Sequence, residues 1–156
     1  GGTWKGGTWK DGIWEDGIWE GGTWEGGTWK DKKIDRLSYM LAIIGIVPDS
    51  QGICTAYRTT KADGHGRYNK DFQQPMGEYF EKNLPPAGTG TCVTGMHVSN
   101  MATAYRYFGI DYTCQMWEVK FKLSDILDCD GQKARIRGGT FTKISKVFFL
   151  KREETA

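Results

Sequence analysis

The sequence predicts a mainly β chain with an α+β part: a short Trp- and Gly-rich repeat region followed by a small α+β domain with a mostly antiparallel sheet. Ten of the 22 glycines and six of the seven tryptophans lie in the first 30 residues, so the composition changes sharply along the chain. The later residues alternate β-branched and aromatic segments with polar turns, which is typical of antiparallel strands. A length of 156 residues corresponds to about one domain and excludes a large multidomain machine.

The repeat consists of six five-residue units over residues 1–30: GGTWK, GGTWK, DGIWE, DGIWE, GGTWE and GGTWK. Gly, Trp and a charge keep fixed places in each unit, which indicates a repeated structural unit. A strand has a period of two, and a helix rotates five residues by about 140°, so neither brings the tryptophans to a common side. Two arrangements do: a β-solenoid whose units form the sides of a coil, and a meander of three-residue strands joined by Asp-Gly and Gly-Gly turns.

This repeat resembles the pentapeptide-repeat proteins, in which four units form each coil of a four-sided β-solenoid. The resemblance implies such an array over residues 1–34, with the large residue of each unit inside and a small residue two positions before it. The large residues here are Trp4, Trp9, Trp14, Trp19, Trp24 and Trp29. The small residues are Gly2, Gly7, Gly12, Gly17, Gly22 and Gly27. Trp stands where Leu or Phe is commoner in that family, so each buried indole N–H needs an acceptor.

A capping helix and linker are expected over residues 35–49, because a repeat array needs a cap to cover its last coil. Apolar residues recur there at helical spacing, namely Ile34, Leu37, Leu41 and Ile44. Gly45 and Pro48 then supply a stop. The pattern predicts a helix over about 34–44 that covers the end of the array.

The α+β domain is expected over residues 50–150, followed by a tail over 151–156. Its predicted strands are 53–60, 77–81, 91–99 and 115–123, with one or two more inside 134–150. Asn100 is expected to cap a short helix that ends at Phe108. The segment 115–123 alternates polar residues with Trp117, Val119 and Phe121, which predicts a half-buried strand.

The segment order of this domain resembles that of ADP-ribosyltransferase-like domains, and also that of small uncharacterised phage and bacterial domains. The resemblance rests on Tyr57-Arg58-Thr59 in one strand, on Gly95 to Ser99 before a helix, and on Trp117-Glu118-Val119. It implies NAD as the cofactor, with Arg58 on a phosphate, Ser99 near the nicotinamide ribose, and Glu118 stabilising the charge-deficient sugar. Without that activity, no cofactor is expected.

Each of these catalytic candidates also has a structural interpretation. Arg58 fits an exposed cross-strand partner, Glu118 a solvated strand residue, and Ser99 part of a helix cap. His97 fits a satisfied histidine of the core or the surface.

Basic residues predict a local positive surface near the end of the domain. Lys133, Arg135 and Arg137 alternate along one predicted strand, and Arg135 and Arg137 are candidates for binding an anion. The net charge is only +2, so the broad basic footprint of a duplex-binding protein is absent and nucleic acid is not expected as a partner.

The cysteines and the apolar segments predict a reducing compartment and no membrane span. The four cysteines form no C-x-x-C pair, and His65 and His97 stand at no zinc-finger spacing from them, so reduced thiols and no metal site are expected. The longest apolar run, Tyr39 to Val47, is too short to cross a bilayer. The expected location is the cytoplasm, or the host cytoplasm or virion for a phage-encoded protein.

The function expected from the sequence is that of a non-enzymatic structural or interaction protein. A repeat scaffold would present the small α+β domain for self-association or for binding a protein partner. The resemblance to phage domains adds a phage origin to this interpretation. An ADP-ribosyltransferase-like enzyme is the first alternative, and a DNA-mimic-type inhibitor acting through the acidic repeat is the second.

Overall fold

The computed structural model describes residues 2–66, 68–108 and 114–144. Within these ranges the chain is mainly β with antiparallel sheets, as the sequence predicts, and it has two helices. The predicted tail over 151–156 and the end of the predicted closing strands lie outside the described residues.

Six short strands form in the repeat, one in each unit. They are β1 (Thr3–Trp4), β2 (Thr8–Trp9), β3 (Ile13–Glu15), β4 (Ile18–Trp19), β5 (Thr23–Trp24) and β6 (Thr28–Lys30). Strand β1 pairs with β4, β2 with β5 and β3 with β6, always in parallel. Each unit therefore pairs with the third unit after it. We call β1 to β3 the first coil and β4 to β6 the second coil.

This pairing differs from both arrangements considered for the repeat. A four-sided coil would pair each unit with the fourth unit after it, and a meander would pair neighbouring units in antiparallel. The outward charges favour the three-unit register, because positions one coil apart carry opposite signs: Lys5 and Glu20, Lys10 and Glu25, Glu15 and Lys30. None of these pairs forms an ion pair in the described chain. A four-unit coil would instead place Lys30 next to Lys10. Opposite charges stabilise a strand pair by roughly 0.2–1 kcal/mol, and like charges destabilise it.

The six indole rings fill the space inside the two coils. Rings one coil apart are stacked, with centroids 5.6 Å apart for Trp4 and Trp19 and 6.0 Å apart for Trp9 and Trp24. Consecutive rings meet edge to face, as between Trp14 and Trp19 at 5.5 Å and 82°. Both geometries are favoured by the quadrupole of the aromatic ring. Trp19 is only 1% exposed, so the second coil is dry at its centre.

The indole N–H groups are less well satisfied than the rings. Trp29 Nε1 donates to the Ile34 carbonyl at 3.1 Å. Four other indole nitrogens are buried without a partner in the described residues, those of Trp4, Trp9, Trp14 and Trp19. Ring packing, rather than indole hydrogen bonding, therefore holds the interior together.

Gly22 shows why the repeat needs glycine at the corner before each strand. Its φ is +99°, a conformation that residues with a side chain rarely adopt. A Cβ at this position would lie 2.5 Å from the Gly7 carbonyl oxygen and 2.9 Å from Trp4 Nε1. The close approach of the two coils thus depends on the missing side chain.

Helix α1 (Arg36–Ile43) covers the second coil and lies inside the segment expected to hold the cap. The helix starts at Asp35, whose carboxylate accepts from the Ser38 amide at 3.0 Å. The Tyr39 hydroxyl accepts from the Trp19 amide at 3.3 Å and donates to the Trp19 carbonyl at 3.1 Å. The free peptide edge of the second coil is thereby partly closed.

The α+β part contains seven strands and one helix in the described ranges. They are β7 (Ile53–Thr60), β8 (Gly77–Phe80), β9 (Met96–Val98), α2 (Met101–Phe108), β10 (Gln115–Lys122), β11 (Ile126–Cys129), β12 (Ala134–Ile136) and β13 (Gly138–Lys143). One antiparallel sheet has the order β7-β10-β13-β8, and the other has the order β11-β12-β9. Along β10 the predicted alternation holds from Trp117 onward, where Trp117, Val119 and Phe121 are buried, whereas Gln115 and Met116 are both buried at its start. Cys54, Cys92 and Cys129 are free thiols.

The repeat and the α+β part share one core, in which Trp14, Trp19 and Trp24 cluster with residues of α1 and both larger sheets. The Trp24 amide donates to the Asp130 carbonyl at 2.7 Å. Arg36 lies 5.7 Å from the centroid of the Trp24 ring, donates to the Cys129 carbonyl at 2.8 Å and forms an ion pair with Asp128 at 3.0 Å. These contacts fix the second coil to the β11–β12 hairpin.

Gly22→Ala is expected to lower the free energy of unfolding by about 2 kcal/mol, because the new Cβ clashes with the Gly7 carbonyl and the backbone is left-handed there. Urea unfolding measures the effect. Gly6→Ala is the matched control, since nothing lies within 4 Å of its added Cβ, and it should change stability by no more than about 0.5 kcal/mol. Equal losses in the two variants would contradict the three-unit pairing.

Candidate functional site

A cleft of about 470 Å³ lies between β7 and β9, and we call it the β7–β9 cleft. Tyr57 and Ser99 join the two strands through two backbone hydrogen bonds of 2.8 Å. In antiparallel strands every second residue pair exchanges backbone hydrogen bonds, so the pair after Tyr57 and Ser99 would be Thr59 and His97. No backbone hydrogen bond joins Thr59 and His97 in the described chain. The cleft occupies this gap, and Gly66, Tyr68, Asn69, Phe72 and helix α2 also contribute to its lining.

Arg58 lines the cleft and has an unpaired buried guanidinium nitrogen. Its Nε has no hydrogen-bond partner, and neither ion pair found among the described residues includes it. Burial lowers the pKa of Arg58 to about 10, while the charge of Glu81 acts in the opposite direction. The side chain therefore stays cationic near neutral pH, and it is partly buried, not an exposed cross-strand residue.

His97 lines the same cleft as a neutral ring. Burial lowers its pKa to about 4, although the hydrogen bond to the Thr91 carbonyl acts in the opposite direction. The positive charges of Lys133, Arg58 and Arg135 lower it further. Because a carbonyl only accepts, Nε2 carries the proton of the neutral ring and donates it to Thr91.

Ser99 also lies at the cleft, but its hydroxyl already has a partner. The Oγ donates to the Gln132 carbonyl, and the residue is 2% exposed. Asn100, and not Ser99, caps helix α2, since its side chain accepts from the Thr103 amide at 2.8 Å. Ser99 thus ties β9 to the β11–β12 hairpin.

Glu118 lies apart from Arg58 and Ser99. In the sheet register Arg58 is opposite Trp117, whereas Glu118 is opposite Tyr57, so Arg58 and Glu118 project from opposite faces of the sheet. Glu118 is not among the residues that line the cleft. The structure therefore brings together two of the three residues implied by the ADP-ribosyltransferase resemblance and separates the third.

Lys133, Cys92 and Tyr107 form the rim of the cleft, and the catalytic hypothesis included none of them. Lys133 Nζ is 3.5 Å from Cys92 Sγ and 5.4 Å from the centroid of the Tyr107 ring. Burial alone would lower the pKa of Lys133, but Tyr107, Cys92 and Asp130 together raise it. These residues come from three separate segments, so no local sequence motif joins them.

The expectation that Arg135 binds an anion is corrected by the structure. Arg135 is 0% exposed, and its guanidinium donates to four backbone carbonyls, those of Pro85, Pro86, Gly90 and Thr94, at 2.8–3.2 Å. All three residues of β12 are buried, and the backbone of residues 85–94 covers the Arg135 side chain. Arg137 is exposed and Lys133 lines the cleft, so the three cations do not share one basic surface.

Comparisons with known protein families, with curated proteins and with solved structures find no match to this chain. Among the described residues, no group of three or more His, Cys, Asp or Glu side chains is placed to hold a metal ion. Neither helix in those ranges is long and apolar enough to span a membrane.

Arg135→Met is expected to destabilise the chain by about 2–4 kcal/mol, because each buried carbonyl left without a donor costs about 1–3 kcal/mol. The loop over 85–94 should also become more sensitive to proteolysis, since Arg135 holds it through four carbonyls. Urea unfolding and limited digestion measure the two effects. Arg137→Met changes an exposed side chain on the same strand end and should be close to neutral; comparable losses would refute the anchoring role of Arg135.

His97 is expected to make stability depend on pH below neutrality. The unfolded ring binds a proton near its ordinary pKa of 6.5, whereas the folded ring stays neutral down to about 4. Its contribution is therefore complete above 6.5 and is lost as the pH falls to 4, by about 3 kcal/mol. Unfolding curves across this range should lose that slope in His97→Gln and keep it in His65→Gln. An unchanged slope in His97→Gln would show that another group is responsible.

Proposed function

We propose that this chain is a structural or interaction protein whose repeat is a three-sided, Trp-filled β-solenoid. In this proposal the first coil docks end to end with the first coil of a second copy, and the other end carries the α+β part. The observation that supports it is the unpaired peptide edge of the first coil.

The edge is identified by the hydrogen bonds that the second coil makes. Five amides of the second coil donate at 2.8–2.9 Å to carbonyls of the first coil; the donors are Ile18, Glu20, Thr23, Glu25 and Thr28. The equivalent amides one coil earlier have no backbone partner in the described chain; they belong to Thr3, Lys5, Thr8, Lys10 and Ile13. A row of free peptide groups of this kind is a template for pairing with another strand edge.

The opposite end of the repeat is partly closed, which favours association through the first coil. Tyr39 bonds to the peptide groups of Trp19, and the Asp130 carbonyl accepts from Trp24. Gly131 packs against this end, where an added Cβ would lie 3.0 Å from both the Gly22 carbonyl oxygen and Met40 Sδ. Within the described residues of the repeat, β1 to β3 therefore form the edge that lacks backbone partners.

The apolar interior reaches the same end. Trp4 and Trp9 are partly exposed, whereas Trp19 and Trp24, stacked on them, are 1% and 6% exposed. Covering the two rings of the first coil removes apolar surface from water, which contributes about 25 cal/mol per Å². The docked coil would thus extend the ring stack.

The outward charges of the first coil suit a two-fold dimer. When two coils face each other across a two-fold axis, their chains run in opposite directions. Strand β1 of one copy can then pair in antiparallel with β3 of the other, and the two β2 strands pair with each other. With Trp4 facing Trp14, this arrangement places Lys5 of each copy diagonally from Glu15 of the other, at two places, and the two Lys10 side chains diagonally from each other, at one place. The two-fold arrangement that pairs β1 with β2 would bring Lys5 near Lys10 and is disfavoured.

A charge-swap experiment tests the docking. Sedimentation equilibrium of the unmodified chain, taken to millimolar concentration, should show a reversible dimer. Glu15→Lys makes the residue after each tryptophan of the first coil positive and should give a monomer. The double variant Lys5→Glu, Lys10→Glu makes the same three positions negative and should also give a monomer. An equimolar mixture of the two variants should restore a dimer.

Circular dichroism and urea unfolding of each variant show that it remains folded, since each swap within the repeat costs only about 0.2–1 kcal/mol per like-charge pair. Thr3→Pro provides a further block, because it removes an amide that is free in the monomer and leaves the pairing of the coils intact. An unmodified chain that stays monomeric throughout, or a mixture that fails to associate, would refute end-to-end docking.

A further inference from the structure

We propose that the β7–β9 cleft binds a small organic anion in which a carboxylate or phosphate group is attached to a flat apolar ring. Arg58 would be the main partner of the anionic group, with Lys133 as the second cation. This inference is independent of docking through the repeat, because the cleft and the first coil share no residue.

Arg58 is the first reason to expect an anionic ligand. Its guanidinium carries five N–H donors, yet its Nε is buried and unpaired, and no carboxylate forms an ion pair with it in the described chain. Arg135 is the contrast within the same protein, since it is fully buried and donates to four carbonyls. Arg58 is only partly buried and lines the cleft, so an anion that enters the cleft can pair with the terminal nitrogens of its guanidinium.

The charge of the cleft also favours an anion. Its described lining includes two cations, Arg58 and Lys133, one carboxylate, Glu81, and the neutral ring of His97. The net charge of these groups is positive near neutral pH. In a partly enclosed site such a charge attracts anions more strongly than it would at the open surface.

The apolar side chains that line the cleft favour a flat apolar ring as the remaining part of the ligand. Phe72, Met96, Val98 and Tyr107 contribute apolar and aromatic side chains around the same space. A volume of about 470 Å³ is within the range typical of small-molecule sites. A flat ring fits between side chains of this kind because aromatic surfaces stack without needing further hydrogen bonds.

Unpaired peptide groups provide polar contacts beside the apolar walls. Thr59 and His97 face each other across the gap where the two strands stop pairing, and neither has a backbone partner on that side in the described residues. A ligand oxygen placed there can accept from a backbone N–H as well as from Arg58. Amide signals of these two residues therefore report directly on occupancy.

The test is an NMR titration of the ¹⁵N-labelled full chain with three probes that share one ring: benzoate, phenyl phosphate and benzyl alcohol. Both anions should shift the amides of Thr59 and His97 in a saturable manner, and the neutral alcohol should not. The stronger anion identifies the preferred group, since a carboxylate and a phosphate both match the fork of a guanidinium. A melting-temperature increase with the same ligand dependence is expected, because the ligand binds only the folded state.

Arg58→Gln should weaken binding by at least about tenfold, because it removes the charged partner of the ligand. Arg106→Gln is the matched control: Arg106 is exposed on α2 and lies outside the lining of the cleft, so its loss should leave the affinity unchanged. Lys133→Gln, at the rim, should weaken binding by about threefold. This variant replaces Arg58→Gln as the test if Arg58→Gln does not fold. The proposal is overturned if neither anion saturates, if the alcohol binds equally well, or if folded Arg58→Gln or Lys133→Gln retains full affinity.

Discussion

The packing of six indole rings inside two coils is the interaction on which the rest of this structure depends. Each ring stacks on its equivalent one coil away and meets its neighbours edge to face. The rings can approach in this way only because glycine leaves the corners open, as at Gly22. Four of the indole nitrogens lack partners, so the arrangement is stabilised by apolar burial and ring contacts that outweigh the lost hydrogen bonds.

The packed repeat also positions the cleft, through Asp130. Its carbonyl accepts from Trp24 of the second coil, while its carboxylate accepts from the Lys133 amide at 2.9 Å and the Thr91 hydroxyl at 2.7 Å. Thr91 in turn holds His97, and Lys133 forms part of the rim. Two sides of the cleft are thus tied to the second coil by hydrogen bonds through one residue.

Local sequence patterns predicted the individual strands and helices of this fold better than they predicted which strands pair and which residues contact each other. The cap residue Asn100 and the alternation along β10 from Trp117 onward are local signals, and both are confirmed. The number of units in a coil depends on which strands pair. The charges of Lys10 and Lys30 disfavour a four-unit coil, but this becomes visible only when the three-unit and four-unit registers are compared. The burial of Arg135 depends on the loop over 85–94, whose carbonyls enclose its guanidinium, and alternation alone does not reveal this long-range contact. The separation of Glu118 from Arg58 likewise follows from cross-strand register.

Hydrogen exchange at individual amides tests the central claim most directly. Measured on the dilute chain, slow exchange should be confined within the repeat mainly to the second coil, at the donors Ile18, Glu20, Thr23, Glu25 and Thr28, while the equivalent amides of the first coil exchange rapidly. Such a contrast follows only if each unit pairs with the third unit after it around a dry indole interior. Rapid exchange at all of these donors, together with tryptophan emission typical of water-exposed indole, would contradict the account.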